Sequence, residues 1–326
     1  MIRVKLTTSF PHEPIIRQTP GYAGRWGECQ FFVDDDTREC DFWVVYEGPV
    51  ADTTAVCAPE NVLLITGEPL IKTNYPAEFL RQFHEVITCH PQFDHPHVHI
   101  TQQSLPWHVG MKAASPGTPG QSWGYDDFSA QDFEAKDRLM AVICSNKSKS
   151  VAHKTRLDFA LRLKEHFGDR LDFFGRGFQE IDDKMAGLAR YKYALVLENS
   201  QVPHYWTEKL ADAFLTNCFP FYLGCPNISS YFDRESLLEL SPDWGAAAAA
   251  MEDALARDVY TQSRAAVSAS KRRVLGQYNL FSLVEEMVRS RPVGRGREIT
   301  LRTQQAIRHS NRLWGWLPGG KRGRNG

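Results

Sequence analysis

Hydrophobic positions fall in short blocks whose spacing alternates between two periods. In the first half, compact apolar runs at 2–6, 42–46, 62–66, 85–88 and 98–101 predict strands, with a helix near 76–83. In the second half, runs at 139–144, 171–174, 193–197 and 219–223 predict strands. The run at 193–197 is almost continuously apolar, as expected of a parallel strand buried on both faces. Between these runs the period lengthens. Leu157, Ala160, Leu161, Lys164 and Phe167 trace one face of a helix over 153–167, and Leu210, Ala213, Phe214 and Asn217 trace another starting at Thr207. Thr207 suits an N-cap, but Leu210 stands where a capping box needs Glu or Gln. Gly224-Cys225-Pro226 ends the next strand as a turn, and 243–291 is helical in character. Strands alternating with helices predict open α/β sheets.

The run Ala114-Ser115-Pro116-Gly117-Thr118-Pro119-Gly120 is the best linker. It divides the chain into a first domain over 1–130, a second over 131–290 and a tail over 291–326. That tail is basic and carries Leu313, Trp314, Trp316 and Leu317, a composition suited to an anionic membrane surface as well as to a disordered tail. The 326 residues suffice for two cores, and a formal net charge of -1 gives no reason to expect nucleic acid as partner. No stretch approaches the roughly 18 apolar residues of a membrane span, and the N-terminus alternates like a strand rather than a signal peptide, so a soluble, cytoplasmic chain is expected. Seven cysteines without a C-x-x-C pair read as reduced thiols. His90, His95, His97 and His99 lie among Pro91, Asp94 and Pro96 without a metal-site pattern, so no metal is expected.

Candidate chemistry concentrates between Glu198 and Lys209. Glu198 and Asn199 leave a strand, Tyr205 and Trp206 fill a loop, and Glu208 and Lys209 open a helix. In a strand-loop-helix unit this is where an anionic ligand sits, and a carboxylate, an ammonium and aromatic rings suit a nucleoside diphosphate. The alternative is a capped helix with a solvated first turn. A second cluster, Lys147, Lys149, Lys154 and Arg156, opens the helix over 153–167, where cations oppose the macrodipole unless an anion joins them.

The run ENSQVPHYWTEKLADAF followed by FPFYLGCPN resembles the signature of the α1,3-fucosyltransferases, glycosyltransferase family 10, in order and spacing over roughly forty residues. The resemblance implies two Rossmann-like domains facing across a cleft (the GT-B arrangement). It also implies inverting transfer of L-fucose from GDP-fucose to a glycan hydroxyl, with α1,3 linkage to an N-acetylglucosamine-containing cell-surface glycan expected, and no required cofactor. Donor binding is implied for Ser145, Asn146, Arg156, Glu198, Asn199, Tyr205, Glu208 and Lys209, with Lys154 a rival for Arg156. Glu208 would take the ribose, Lys209 a phosphate, and Glu198 and Asn199 would chiefly orient the loop.

The general base is implied at Glu68, in Thr66-Gly67-Glu68-Pro69 after a buried-type strand; the family's element has a Ser that is missing here. Trp107 suits stacking on an acceptor sugar or, equally, a place in the core. The absence of a membrane helix resembles the bacterial members, and peripheral membrane association through the tail is the remaining partner expectation. The rival readings are a transferase for another GDP-sugar and a catalytically silent glycan- or nucleotide-binding protein on the same fold.

Overall fold

The computed structural model describes residues 1–10, 14–67, 75–112, 121–147 and 150–309. These form two compact units. The first holds 1–10, 28–67, 75–103 and 287–309, the second 14–27 and 104–286. The division thus falls after 103 rather than at 130, and both flanking segments cross it.

The reason is local pairing. Arg17, 1% exposed, donates to the carbonyls of Trp107, Val109 and Trp123, and Asn279 Nδ2 reaches Gln18 O at 2.8 Å, which ties 14–27 and 104–125 into the second unit. An arginine buried at that depth is held by saturating its donors. At the other end, Arg297–Leu301 pairs antiparallel with Thr53–Cys57, and Arg291 lies 2.5 Å from Glu85. The start of the expected basic tail is therefore an edge element of the first unit. Trp314 and Trp316 lie outside the described residues.

In the first unit, six strands run in the order Cys29–Val33, Ile2–Thr8, Phe42–Tyr46, Val62–Ile65, Glu85–Thr88, Val98–Ile100, and every pair is parallel. Numbered along the chain, that order is 2-1-3-4-5-6. Phe42–Tyr46 and Val62–Ile65 are buried throughout, which explains their unbroken apolar sequence. Trp43, Val62, Leu64, Phe79 and Val86 belong to the core beside them.

The second unit repeats the pattern. Leu171–Phe174, Arg138–Ile143, Tyr191–Leu197, Phe219–Leu223 and Leu238–Glu239 lie side by side, all parallel, in the order 2-1-3-4-5. Both units are Rossmann-like α/β sheets. A sheet of this order has its topological switch between its first and third strands, where chain connections leave on opposite faces and open a crevice at the carboxyl edge.

Two helices position that edge. Val151–Phe167 starts at Ser150, whose Oγ accepts the His153 N–H at 3.2 Å. It buries Phe159, Ala160, Leu163 and Phe167, whereas Leu161 is 39% exposed, so the buried face is turned from the one expected. Glu208–Leu215 starts at Thr207 and stops early, because Asn217 takes a left-handed backbone (φ 56°) that ends the helix instead of extending its apolar face. Within the described residues no helix is long and apolar enough to cross a membrane.

Candidate active site

The switch of the second sheet lies between Arg138–Ile143 and Tyr191–Leu197, so the residues that follow them, Ser145-Asn146 and Glu198-Asn199, meet at one edge. Glu198 continues the ladder, donating its N–H to Leu223 O at 2.9 Å, and is 6% exposed. Gly224 permits this seat, since a Cβ there would stand 2.5 Å from Glu198 Cγ and 2.4 Å from the Tyr222 hydroxyl.

The Glu198 carboxylate is turned toward the coming helix. Its Oε1 accepts the Thr207 N–H at 2.8 Å, and the Thr207 hydroxyl donates to the same carboxylate, 2.8 Å from Oε2 and 3.0 Å from Oε1. Thr207 Oγ1 in turn accepts from the Lys209 N–H (3.3 Å) and from Lys209 Nζ (2.9 Å). One buried carboxylate thus fixes the N-cap that starts the helix. Lys209 Nζ also lies 3.3 Å from Glu198 Oε2 and 3.1 Å from Glu208 Oε1.

These charges settle one another. Burial opposes the Lys209 charge, but Glu198 and Glu208 outweigh it and hold the ammonium above its usual range. Burial alone would raise Glu208, yet Lys209, His108 and Lys184 hold its carboxyl well below the ordinary range. Burial pushes Glu198 up, against the pull of Lys209.

The network extends along the helix. Lys184 Nζ sits 2.6 Å from Asp212 Oδ2 and 3.9 Å from Glu208, and Asp212 Oδ1 accepts the N–H groups of both His108 and Val109 at 3.0 Å. That segment carries Trp107, which is 1% exposed and packs edge-on to Phe128 at 6.1 Å. Trp107 is a core residue here, and its ring is not open to a sugar face.

Across the switch, Arg156 comes from the second turn of Val151–Phe167 and donates through Nη1 to Asn199 Oδ1 at 2.6 Å. Its Nε is buried and meets no partner among the described residues. Ser145 is half-buried and Asn146 exposed beside it, while Lys154 is exposed. The Gly175-Arg176-Gly177 turn has a packing cause. A Cβ at Gly175 (φ 127°) would lie 2.4 Å from Cys144 O and one at Gly177 (φ 84°) 2.0 Å from Asn146 Nδ2, so the two glycines let this turn lie against the 144–146 loop.

Of the residues expected from sequence, Arg156 and Asn199 are joined by a hydrogen bond, as are Glu198, Glu208 and Lys209 with one another through Lys209. Lys209, expected from sequence to meet a phosphate, is tied to two carboxylates. Tyr205 and Trp206 are 2% and 3% exposed, and Trp206 packs against Phe232 at 5.1 Å and Tyr278 at 5.5 Å. Glu68 lies outside the described residues. Asp212, Lys184 and His108 went unread. Asp212 had a signal, an acid inside the otherwise apolar run Leu210–Leu215, which asks for a buried partner.

Residues 133–249, which contain this whole edge, match the family model for the glycosyltransferase family 10 (fucosyltransferase) C-terminal domain. Over that segment the chain is similar to glycosyltransferase family 10. An alpha-(1,3)-fucosyltransferase from Helicobacter pylori is 33% identical over 60 residues, 18% of this chain and 13% of that relative's length. A crystal structure of an alpha1,3-fucosyltransferase with GDP-fucose superposes with a TM-score of 0.48 at 13% identity, over 99% of this chain and 93% of the other. One with GDP gives 0.47 at 14% identity, over 86% and 92%. Among the described residues, no group of three or more His, Cys, Asp or Glu side chains is placed to hold a metal ion.

Proposed function

We propose that the chain is an inverting fucosyltransferase that moves L-fucose from GDP-fucose to a hydroxyl of a glycan, with α1,3 linkage to an N-acetylglucosamine unit. One observation carries the reading. At the switch point of the second sheet the Arg156 guanidinium is hydrogen-bonded to Asn199 while its Nε is buried and has no partner among the described residues. A buried donor without an acceptor costs about 1–3 kcal/mol, and a diphosphate oxygen would supply the acceptor.

The division of labour follows from the reaction. The bond between the fucose anomeric carbon and the β-phosphate oxygen breaks with its electron pair leaving on GDP, while the acceptor oxygen bonds to that carbon from the opposite face and gives up its proton to a base. Negative charge builds on the diphosphate. In this reading Arg156, the Ser145 hydroxyl and the N-terminal N–H groups of Val151–Phe167 meet that charge. Glu208, kept ionised by Lys209, His108 and Lys184, is an acceptor suited to ribose hydroxyls. Glu198 acts indirectly, by fixing Thr207 and so the helix carrying Glu208. Glu68 is proposed as the base. The Glu68→Gln variant should lose transfer while binding GDP as before, and full turnover would reassign the base.

The test of the donor is transfer from GDP-fucose compared with GDP-mannose, using a glycan array as acceptor. Transfer from GDP-mannose alone would leave the site intact and replace the sugar.

A further inference from the structure

His204 sits in the loop between Glu198 and Thr207 with a left-handed backbone, φ 65°, a conformation that costs a residue with a side chain on the order of 1–3 kcal/mol. Three contacts hold it there. Its N–H donates to Asn227 Oδ1 at 2.8 Å, its Nδ1 lies 2.5 Å from the Tyr231 hydroxyl, and Asn227 Nδ2 lies 3.3 Å from the same Nδ1. Tyr231 also packs edge-on to the imidazole at 5.9 Å.

These contacts choose the tautomer. Asn227 Oδ1 accepts from the His204 N–H and from the Cys225 thiol, at 3.0 Å, so the other end of the amide is its NH₂ group and presents a hydrogen to Nδ1. Nδ1 is thus an acceptor, and the ring hydrogen is on Nε2. That N–H meets no protein partner among the described residues, and His204 is only half-buried. A strained backbone and three contacts therefore present one oriented donor at the carboxyl edge of the sheet.

Its place limits what it meets. Asn227 follows the turn after Phe219–Leu223, on one side of Tyr191–Leu197, whereas Ser145, Asn146 and Arg156 lie on the other side. A diphosphate held at the switch leaves His204 to an uncharged part of the donor. We propose that His204 Nε2 donates a hydrogen bond to a hydroxyl oxygen of the nucleotide sugar, on the ribose or the transferred sugar, and so helps determine donor specificity. The proposal rests on the nucleotide-sugar reading above.

The test uses the full chain with His204→Gly and His204→Gln. Glycine accepts φ 65° without strain, so His204→Gly should keep the melting temperature within a few degrees while removing the donor. Glutamine carries an N–H at about the reach of Nε2. The expected result is that His204→Gly weakens binding roughly ten-fold and His204→Gln recovers most of it. Loss seen with GDP alone places the hydroxyl on the ribose. Loss confined to the KM for GDP-fucose, with GDP affinity intact, places it on the sugar. Unchanged GDP affinity and unchanged KM in a folded His204→Gly protein would overturn the proposal and leave the donor reading standing. A wild-type chain that binds no GDP would overturn both.

Discussion

The two sheets share their strand order through the first five strands, yet their switch points are furnished in opposite ways. In the first unit, polar groups at the equivalent edge are consumed by their neighbours. Asp34 takes both the N–H and the hydroxyl of Thr8, at 2.7 and 2.6 Å, and Glu47 divides its oxygens between the Gly67 N–H and the Tyr75 hydroxyl. In the second unit, Arg156 Nε and His204 Nε2 have no partner among the described residues, and two helices of 17 and 8 residues start there. In the first unit the described helix Ala77–Leu80, between the fourth and fifth strands, has 4 residues. Topology makes the crevice in both units. Among the described residues, only the second edge carries oriented donors without a partner and the starts of two longer helices, features that suit an anionic donor substrate.

The comparison breaks most severely if Glu198 is removed. Glu198→Ala deprives Thr207 of its acceptor and Lys209 of one of its two carboxylates, and should cost roughly 3–5 kcal/mol in urea unfolding, the range for breaking a buried ion pair from one side. Asp34→Asn should cost far less and leave GDP binding alone; equal losses in the two variants would erase the distinction between the edges. Next in size, Arg156→Ala should weaken GDP binding about ten- to a hundred-fold with little change in stability, as befits the loss of a charge-assisted hydrogen bond.

Part of this was legible in sequence for physical reasons. Strands such as Phe42–Tyr46 and Phe219–Leu223 are read at their true bounds because burial on both faces leaves an unbroken apolar run. Thr207 is read as a cap because its neighbours change period there. The domain division was not legible. Arg17 looks like any surface arginine until its three carbonyl partners are assembled, and the pairing of Arg297–Leu301 with Thr53–Cys57 joins segments more than two hundred residues apart. Trp107 has one sequence context and two compatible environments, and only packing against Phe128 decides between them. The ion pairs of Lys209 were not legible either, because sequence counts charges without showing that Glu198 turns back toward it.

A smaller effect sharpens the role of the Gly-Arg-Gly turn. Gly177→Ala puts a methyl where Asn146 Nδ2 lies and forces a φ of 84° on alanine, so it should cost about 1–3 kcal/mol and displace Asn146. Hydrogen exchange of the 144–147 segment would report the shift.

A separate check is a pH dependence away from the site. Lys271 donates to Asn217 Oδ1 at 3.0 Å and to the Gln131 carbonyl, and burial brings its ammonium down to about 8. The folded state therefore binds this proton less tightly than the unfolded chain, where lysine titrates near 10.4. Its contribution to stability is full above the unfolded value and is lost as pH falls through about 8, so stability should rise between pH 8 and 10. Lys271→Met should flatten that rise relative to the wild type, which melting curves across the window would reveal.

The central claim is that the edge of the second unit binds a guanosine diphosphate through Arg156. Calorimetric titration of GDP, UDP and ADP into the wild type, Arg156→Ala and Asp34→Asn tests it most directly. The account predicts selective GDP binding that is weakened in Arg156→Ala and kept in Asp34→Asn. Equal affinity for GDP in all three proteins would contradict it.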